Sequence, residues 1–505
     1  MTEKREQTPK STILLIYLIG FCFLWEHCRR FSFPSSTEWL SWIRLSEFIL
    51  LGAVLFRMPY RDHQWYFIMI LSVLVILCAS WHRSPTALEK TQSIFSKIIL
   101  IFLLCPAIGI LVQGRSLKRF LQILIAVWTI TNVILSAAGI YAVSQNIEIV
   151  SYSGKRIIGL DAEHCLLLWD THRSLAGMLL MLSIMVAYIG AAMAGKKWIA
   201  ALYLAGAFVM LIALAMTNSR ATTISTWIGS GIALAAVLQK RIRAYVRKEW
   251  LRWLVSLLLV IAVVAVGLLG TNVLRHGVNA TLRQGGAVGL VSSANAETVA
   301  AENEAAETAI PENVTMETGA AAPEAETAGS ETGENEEAED EAFIEIEYIE
   351  EPTYIAERDY FSSYLSGRED IWRGALAALK KRPSLLITGT SIHFVMTDLN
   401  LLTPMPDVSH LHNQFLQTLV ATGIFGLLLF IAFLVIAIWA SIRLFRDLER
   451  PLWERLMILP FICVLPIIPV EALRINSQTD LIGLIMIFTG VAIEISGVGK
   501  KGIRR

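Results

Sequence analysis

One pattern recurs along this chain: stretches of about 20 mostly apolar residues, the length a helix needs to cross bilayer hydrocarbon. They lie near 11–25, 40–56, 64–81, 96–114, 117–143, 174–194, 197–216, 221–239, 250–270, 411–442, 455–471 and 480–497. Backbone polar groups in lipid must be paired within the segment itself, so each stretch is expected to be helical. The pattern predicts an all-α polytopic membrane protein with about twelve transmembrane helices. Composition agrees: 55% of residues are hydrophobic and only 17% charged, against about 25% charged in a soluble domain. The first stretch has no small-residue cleavage site and further spans follow it, so it reads as a retained helix rather than a signal peptide.

Lysines and arginines in the short loops set the expected orientation. Lys4, Arg5 and Lys10 precede the first span, Arg57 and Arg61 follow the second, and Arg115, Lys118 and Arg119 follow the fourth. Lys196 and Lys197 follow the sixth, Lys240 to Lys248 carry five basic residues after the eighth, and Arg443, Arg446 and Arg450 follow the tenth. Lys500, Lys501, Arg504 and Arg505 close the chain. With twelve spans all of these fall on one side, the cytoplasm, with both termini inside. The chain then divides into N-terminal helices (1–143), an outer loop with central helices (144–270), a large extracytoplasmic loop between the ninth and tenth spans (271–410), and C-terminal helices (411–505).

The net charge is zero, with 43 basic and 43 acidic residues. No basic excess is available to neutralise phosphates, which excludes a nucleic-acid binder. The balance is uneven, however. Between Arg283 and Arg358 lie 20 acidic residues and no Lys or Arg, so the rest of the chain is basic. Within this tract 292–342 is rich in Ala, Glu, Thr and Gly and is expected to be disordered, because it cannot bury enough apolar surface to offset chain entropy. After it, 343–350 alternates as a short strand would. The six cysteines form no CxxC, and there is no Walker A loop, GxGxxG or HExxH. ATP-driven pumping, metalloprotease chemistry and a zinc or redox centre therefore have no support.

Polar residues at the outer ends of spans are the informative ones, because charge near hydrocarbon is costly. Thr217-Asn218-Ser219-Arg220 is a very short outer loop whose only charge is Arg220. An arginine at a helix N-terminus suits phosphate oxygens, and it equally suits snorkelling to lipid headgroups. Ser366-Gly367-Arg368 opens an amphipathic helix that reaches about Lys381 and is stopped by Pro383. Read alone, that helix lies on the membrane with solvated charges. His410-Leu411-His412-Asn413 leads into the tenth span. With Ser409 as N-cap, His412 falls at the third helical position, where the dipole favours a neutral imidazole able to take a proton. On that helix the two histidines point to nearly opposite sides, which argues against a shared metal ion. Gly423 and Gly426 are expected to serve close helix packing.

Together these motifs resemble the O-antigen ligase and O-antigen polymerase superfamily. His410-Leu411-His412-Asn413-Gln414-Phe415-Leu416 with Gly423-Ile424-Phe425-Gly426-Leu427 resembles its HxHNxxL…GxxGL signature. Ser219-Arg220 matches its Ser-Arg motif, and Gly367-Arg368…Trp372…Pro383 resembles its large-loop segment. Arg156…Gly159 and His172-Arg173-Ser174-Leu175-Ala176 are weaker matches. The chain departs from the pattern in its acidic insert and in Thr388-Gly389-Thr390, where relatives often carry Gly-x-Gly.

The resemblance implies a membrane glycosyltransferase that moves a glycan from undecaprenyl diphosphate, at the outer leaflet of the cell membrane, to an acceptor sugar or lipid. It implies no cofactor, nucleotide or metal ion. The partners are the lipid-linked donor, the acceptor glycan or glycolipid, and membrane lipids. His412 would orient or deprotonate the acceptor hydroxyl, and Arg220 and Arg368 would stabilise charge on the leaving diphosphate. His410, Asn413, Arg173 and Arg156 would help bind substrate. Two other classes compete. A transporter places ionisable residues at the membrane midplane and often shows internal repeats. A non-catalytic surface scaffold would tolerate loss of both Arg220 and Arg368.

Overall fold

A computed structural model describes residues 9–28, 37–58, 63–84, 90–91, 94–145, 147–150, 156–160, 165–168, 173–277, 345–348, 368–403, 410–473, 475 and 478–498. Nine helices among them are long and apolar enough to cross a membrane. They are α1 (Lys10–Cys28), α3 (Tyr66–Arg83), α5 (Gly114–Gln145), α6 (Arg173–Met193), α7 (Lys197–Met216), α8 (Arg220–Tyr245), α9 (Glu249–Gly277), α13 (Gln414–Arg446) and α16 (Thr479–Ser496). The expected disordered stretch 292–342 lies outside the described residues.

The other three apolar stretches take different forms. The second is a single helix, α2 (Thr37–Arg57). The fourth, α4 (Phe95–Leu111), widens to a π-helical turn over Leu100–Leu104 ahead of Pro106, whose ring cannot fit beneath the carbonyl four residues back. The eleventh is not one helix. It divides into α14 (Leu452–Leu456) and α15 (Leu459–Val464), then runs as turns over 465–470. Pro460, Pro466 and Pro469 explain this, since each removes a donor that a continuous helix needs.

The bundle packs around α6 and α16, which are buried along most of their lengths, whereas α9 is the most exposed of the nine. Glycines set the closest crossings. A Cβ on Gly109 of α4 would lie 2.8 Å from Val491 Cα, and one on Gly490 of α16 would lie 2.6 Å from the Pro106 carbonyl oxygen. Buried polar pairs tie the bundle at both ends. His27 Nδ1 meets Asp480 Oδ2 at 2.9 Å, and His63 Nδ1 lies 2.9 Å from Glu494 Oε2.

Outside the bundle, α10 (Arg368–Lys381), α11 (Leu385–Thr388) and α12 (Val395–Leu402) form a cap with its own small core. Ile371, Ala375, Ala378 and Leu379 recur at helical spacing and pack on Leu385, Val395, Leu399, Leu411 and Val420. Acidic residues open α10 and Lys380 and Lys381 close it, which complements the helix dipole. Arg83 at the end of α3 pairs with Asp398 of α12, its Nε donating at 2.6 Å, and so ties the cap to the bundle. A four-stranded antiparallel sheet packs on α5 and α6, in the order β3 (Leu166–Leu168), β2 (Arg156–Leu160), β1 (Ile147–Val150), β4 (Glu345–Tyr348). Within the alternating stretch 343–350 the described residues Glu345–Tyr348 form a strand, which joins the chain after α9 to the strand that follows α5.

Candidate active site

The turn 410–413 departs from the sequence expectation. Ser409 lies outside the described residues, and the N-cap of α13 is Asn413, whose Oδ1 accepts from Leu416 N at 3.0 Å. His410 and His412 therefore precede the helix. His412 has φ +48, a left-handed conformation that a non-glycine residue holds only when its surroundings over-determine it. The chain bends there, and the two rings lie together, tilted by 39° with centroids 3.9 Å apart, instead of pointing to opposite sides.

Several hydrogen bonds hold this turn. Trp372 Nε1 of α10 donates to the Leu411 carbonyl at 2.8 Å. Leu411 N donates to Gln417 Oε1 at 3.1 Å, and Gln414 N donates to the Ile468 carbonyl at 2.9 Å. Leu473 N donates to Gln414 Oε1 at 2.6 Å. The last two contacts draw the end of the broken eleventh segment against the start of α13.

That segment supplies the residue the sequence reading missed. Glu471, beyond the turns that follow α15, is buried and lies among three motif residues. His410 Nε2 lies 2.5 Å from Glu471 Oε1, His412 Nδ1 lies 3.2 Å from the same oxygen, and Arg368 Nη2 lies 3.8 Å from Oε2. The His412 contact lacks hydrogen-bond alignment, so Nδ1 is close to the carboxylate without a settled bond. Burial pushes the Glu471 carboxyl up, but the two imidazoles outweigh it and hold the group below the usual carboxylate range. An acid at the end of an apolar stretch was the available signal.

His410, His412 and Glu471 also present ligand atoms within 4.8 Å of one another, close enough to hold a metal ion. The separation of the histidines therefore no longer argues against one. The competing cation is Arg368, which already faces the free carboxylate oxygen.

Arg220 and Arg173 occupy a second place. Arg220 is the first residue of α8 and Arg173 the first of α6. The two helices start side by side: a Cβ on Gly177 would lie 2.7 Å from Ser219 Cβ. Asn218, with φ +49, makes the tight reversal from α7. Arg173 stands one turn, about 6 Å, from Gly177. Two helix N-termini, each opening on an arginine, thus lie together, and the peptide dipoles add positive potential to the two guanidinium groups. Both arginines are half-buried. The backbone of Arg156 lies in β2. The side chain of Arg156 and residues Ser366, Gly367 and His172 lie outside the described residues.

Gly423 and Gly389 bring α13 and α11 together. Gly423 has φ +70 and kinks α13, where a Cβ would strike the Ile387 carbonyl. Gly389 also has φ +70, and Thr390 N donates to the Val420 carbonyl at 2.8 Å. A single glycine at 389 thus makes the turn after α11. At Gly426 a Cβ would strike the Thr422 side chain one turn back in the same helix, while Val75 of α3 lies at an ordinary contact distance of 3.5 Å.

An apolar cavity of about 430 Å³ adjoins the histidine turn. Gln414 and Gln417, which hold that turn, are part of its lining, together with apolar residues such as Met69, Phe102, Phe430 and Phe461.

Residues 205–431 match the sequence profile of the O-antigen ligase family. The match spans Arg220, Arg368, His410, His412 and Asn413, and excludes Arg156, Arg173 and Glu471. No curated protein and no solved structure gives a match.

Proposed function

We propose that this chain, whose residues 205–431 match the O-antigen ligase family, is a membrane glycosyltransferase of that superfamily, and that its residues divide the reaction as follows. The donor is a glycan on undecaprenyl diphosphate, used at the outer leaflet, with both chain termini cytoplasmic. The acceptor is a sugar hydroxyl of a glycan or glycolipid.

Arg220 and Arg173, at the paired N-termini of α8 and α6, hold the diphosphate. The cavity beside Gln414 takes the proximal isoprene units. His412 faces the acceptor hydroxyl through Nε2, while Glu471 lies against its Nδ1, as a carboxylate orients a catalytic histidine. The acceptor oxygen attacks the anomeric carbon from the side opposite the diphosphate. The bond from carbon to the diphosphate oxygen breaks, its electron pair leaves with the phosphate, and the hydroxyl proton passes to His412. Glu471 stabilises the imidazolium that forms. Arg368 and Arg220 stabilise the charge building on the leaving group. His410 fixes Glu471, and the Nδ2 of Asn413 and the side chain of Arg156 contact the sugars.

In this reading no metal ion takes part: Arg368 Nη2, 3.8 Å from Glu471 Oε2, supplies the positive charge beside the carboxylate. The observation that carries this reading is the meeting of Arg368, His410 and His412, from two separate motifs, at one buried carboxylate.

The test uses purified protein in liposomes with a lipid-linked glycan and an acceptor. His412→Ala should lower transfer by about 10²- to 10⁴-fold while the protein inserts normally. Chelators should leave the wild-type rate unchanged. Full transfer by His412→Ala would overturn the base assignment. Loss of transfer on chelation, restored by zinc or magnesium, would instead make the cluster a metal site.

A further inference from the structure

The cap carries an apolar edge with a basic border that the transfer reaction does not use. Leu385 is buried in the cap core, but the next two residues face outward: Leu386 is 37% and Ile387 62% exposed. Leu376 of α10 and Leu401 of α12 are also exposed. Large apolar side chains exposed together on one element signal a partner.

The position of this edge identifies the partner. The Ile387 backbone abuts Gly423, the kink of α13. The residues that follow the kink, Ile424, Phe425 and Leu428, are exposed on a helix that crosses the membrane, and so face lipid. The edge of the cap is therefore continuous with the lipid-facing side of α13.

The charges point the same way. Lys380, Lys381 and Arg382 are consecutive and exposed, immediately before Pro383 and Ser384. Lys381 Nζ donates to the Leu402 carbonyl at 2.7 Å, next to Leu401, and so fixes the ends of α10 and α12 together. Lys380 and Arg382 flank it. Apolar residues beside a basic run match the two layers of a bilayer surface, acyl chains beneath and anionic headgroups above.

We propose that Leu386 and Ile387 insert among the acyl chains beside α13, with Lys380 and Arg382 on anionic headgroups, so that the cap is seated on the lipid surface. Placing that surface on the outer side rests on the orientation proposed above; the seating itself does not. Such a seat fixes the height of Arg368 above the membrane, where a lipid-borne diphosphate would present itself.

The test uses the full chain in nanodiscs, with a photoreactive residue introduced as Ile387→p-benzoylphenylalanine. Phe425 replaced in the same way is the lipid-facing control. Arg373, whose side chain is 78% exposed on α10, is the aqueous control. After irradiation, position 387 should give lipid adducts at the yield of position 425 and severalfold above that of 373. A yield at the level of 373 would overturn the proposal, and the same substitution at Leu386 repeats the test if the first variant does not fold. Lys380→Gln combined with Arg382→Gln should lower the adduct yield at 387 severalfold in phosphatidylglycerol nanodiscs and leave it unchanged in phosphatidylcholine. An unchanged yield in phosphatidylglycerol would overturn the headgroup contact. Neither readout depends on glycan transfer, so failure here and failure of the enzymatic reading are separate results.

Discussion

The helix bundle and the outer cap bury their residues in different ways. In the bundle, α6 and α16 are surrounded on nearly all sides, and backbones meet at glycines such as Gly109 and Gly490. In the cap, a small apolar core joins α10, α11 and α12, and polar contacts do the joining to the bundle: Arg83 with Asp398, Trp372 with Leu411, Arg368 with Glu471. Close packing tolerates little change of shape, while a polar network can hold reactive groups in place without filling every space. Fold stability should therefore reside in the bundle and the chemistry at its border with the cap.

Substitutions can break or sharpen that contrast. The largest effects on rate after loss of His412 should come from the arginines. Arg220→Ala and Arg368→Ala should each lower transfer by about 10²- to 10³-fold in protein that still inserts. A normal rate in the double variant would favour a scaffold. Gly490→Val should act in the opposite sense. It forces the α4–α16 crossing apart and should cost about 1–3 kcal/mol of stability, read by thermal unfolding in detergent, with the turnover of the folded fraction unchanged. A smaller effect is expected at Trp372→Phe, which removes the hydrogen bond to the Leu411 carbonyl. It should cost about 1 kcal/mol and lower kcat roughly tenfold, with little change in KM. A change in KM alone would place Trp372 at the substrate rather than behind the histidine turn.

The same contrast decided what could be read from sequence. The bundle was legible because length and apolarity alone define a spanning helix. Among the described residues nine of the twelve stretches form such helices, and Pro460, Pro466 and Pro469 break the eleventh into α14, α15 and a run of turns. The cap helix α10 was legible from its amphipathic spacing, its dipole-matched ends and Pro383. The strands at 147–168 were not, because each is short and lies in a loop without a clear alternation of its own. The site was half legible. Motif spacing picked out Arg368, His410 and His412, but their arrangement depends on His412 adopting φ +48, which no local pattern announces. The helical reading of 410–412 placed the two imidazoles apart, whereas tertiary bonds from Trp372 and Gln417 bring them together. Glu471 lies 61 residues from His410, at the end of an apolar stretch, and only the folded chain shows that it belongs with the motif.

The central claim is that Glu471 organises the histidine turn for transfer, and Glu471→Gln tests it most directly. The substitution keeps the size of the side chain and removes the charge that faces His410, His412 and Arg368. Transfer of a lipid-linked glycan in liposomes should fall by about 10²-fold or more, mainly in kcat, in a protein that inserts and melts like the wild type. A Glu471→Gln protein that transfers at the wild-type rate would contradict the account.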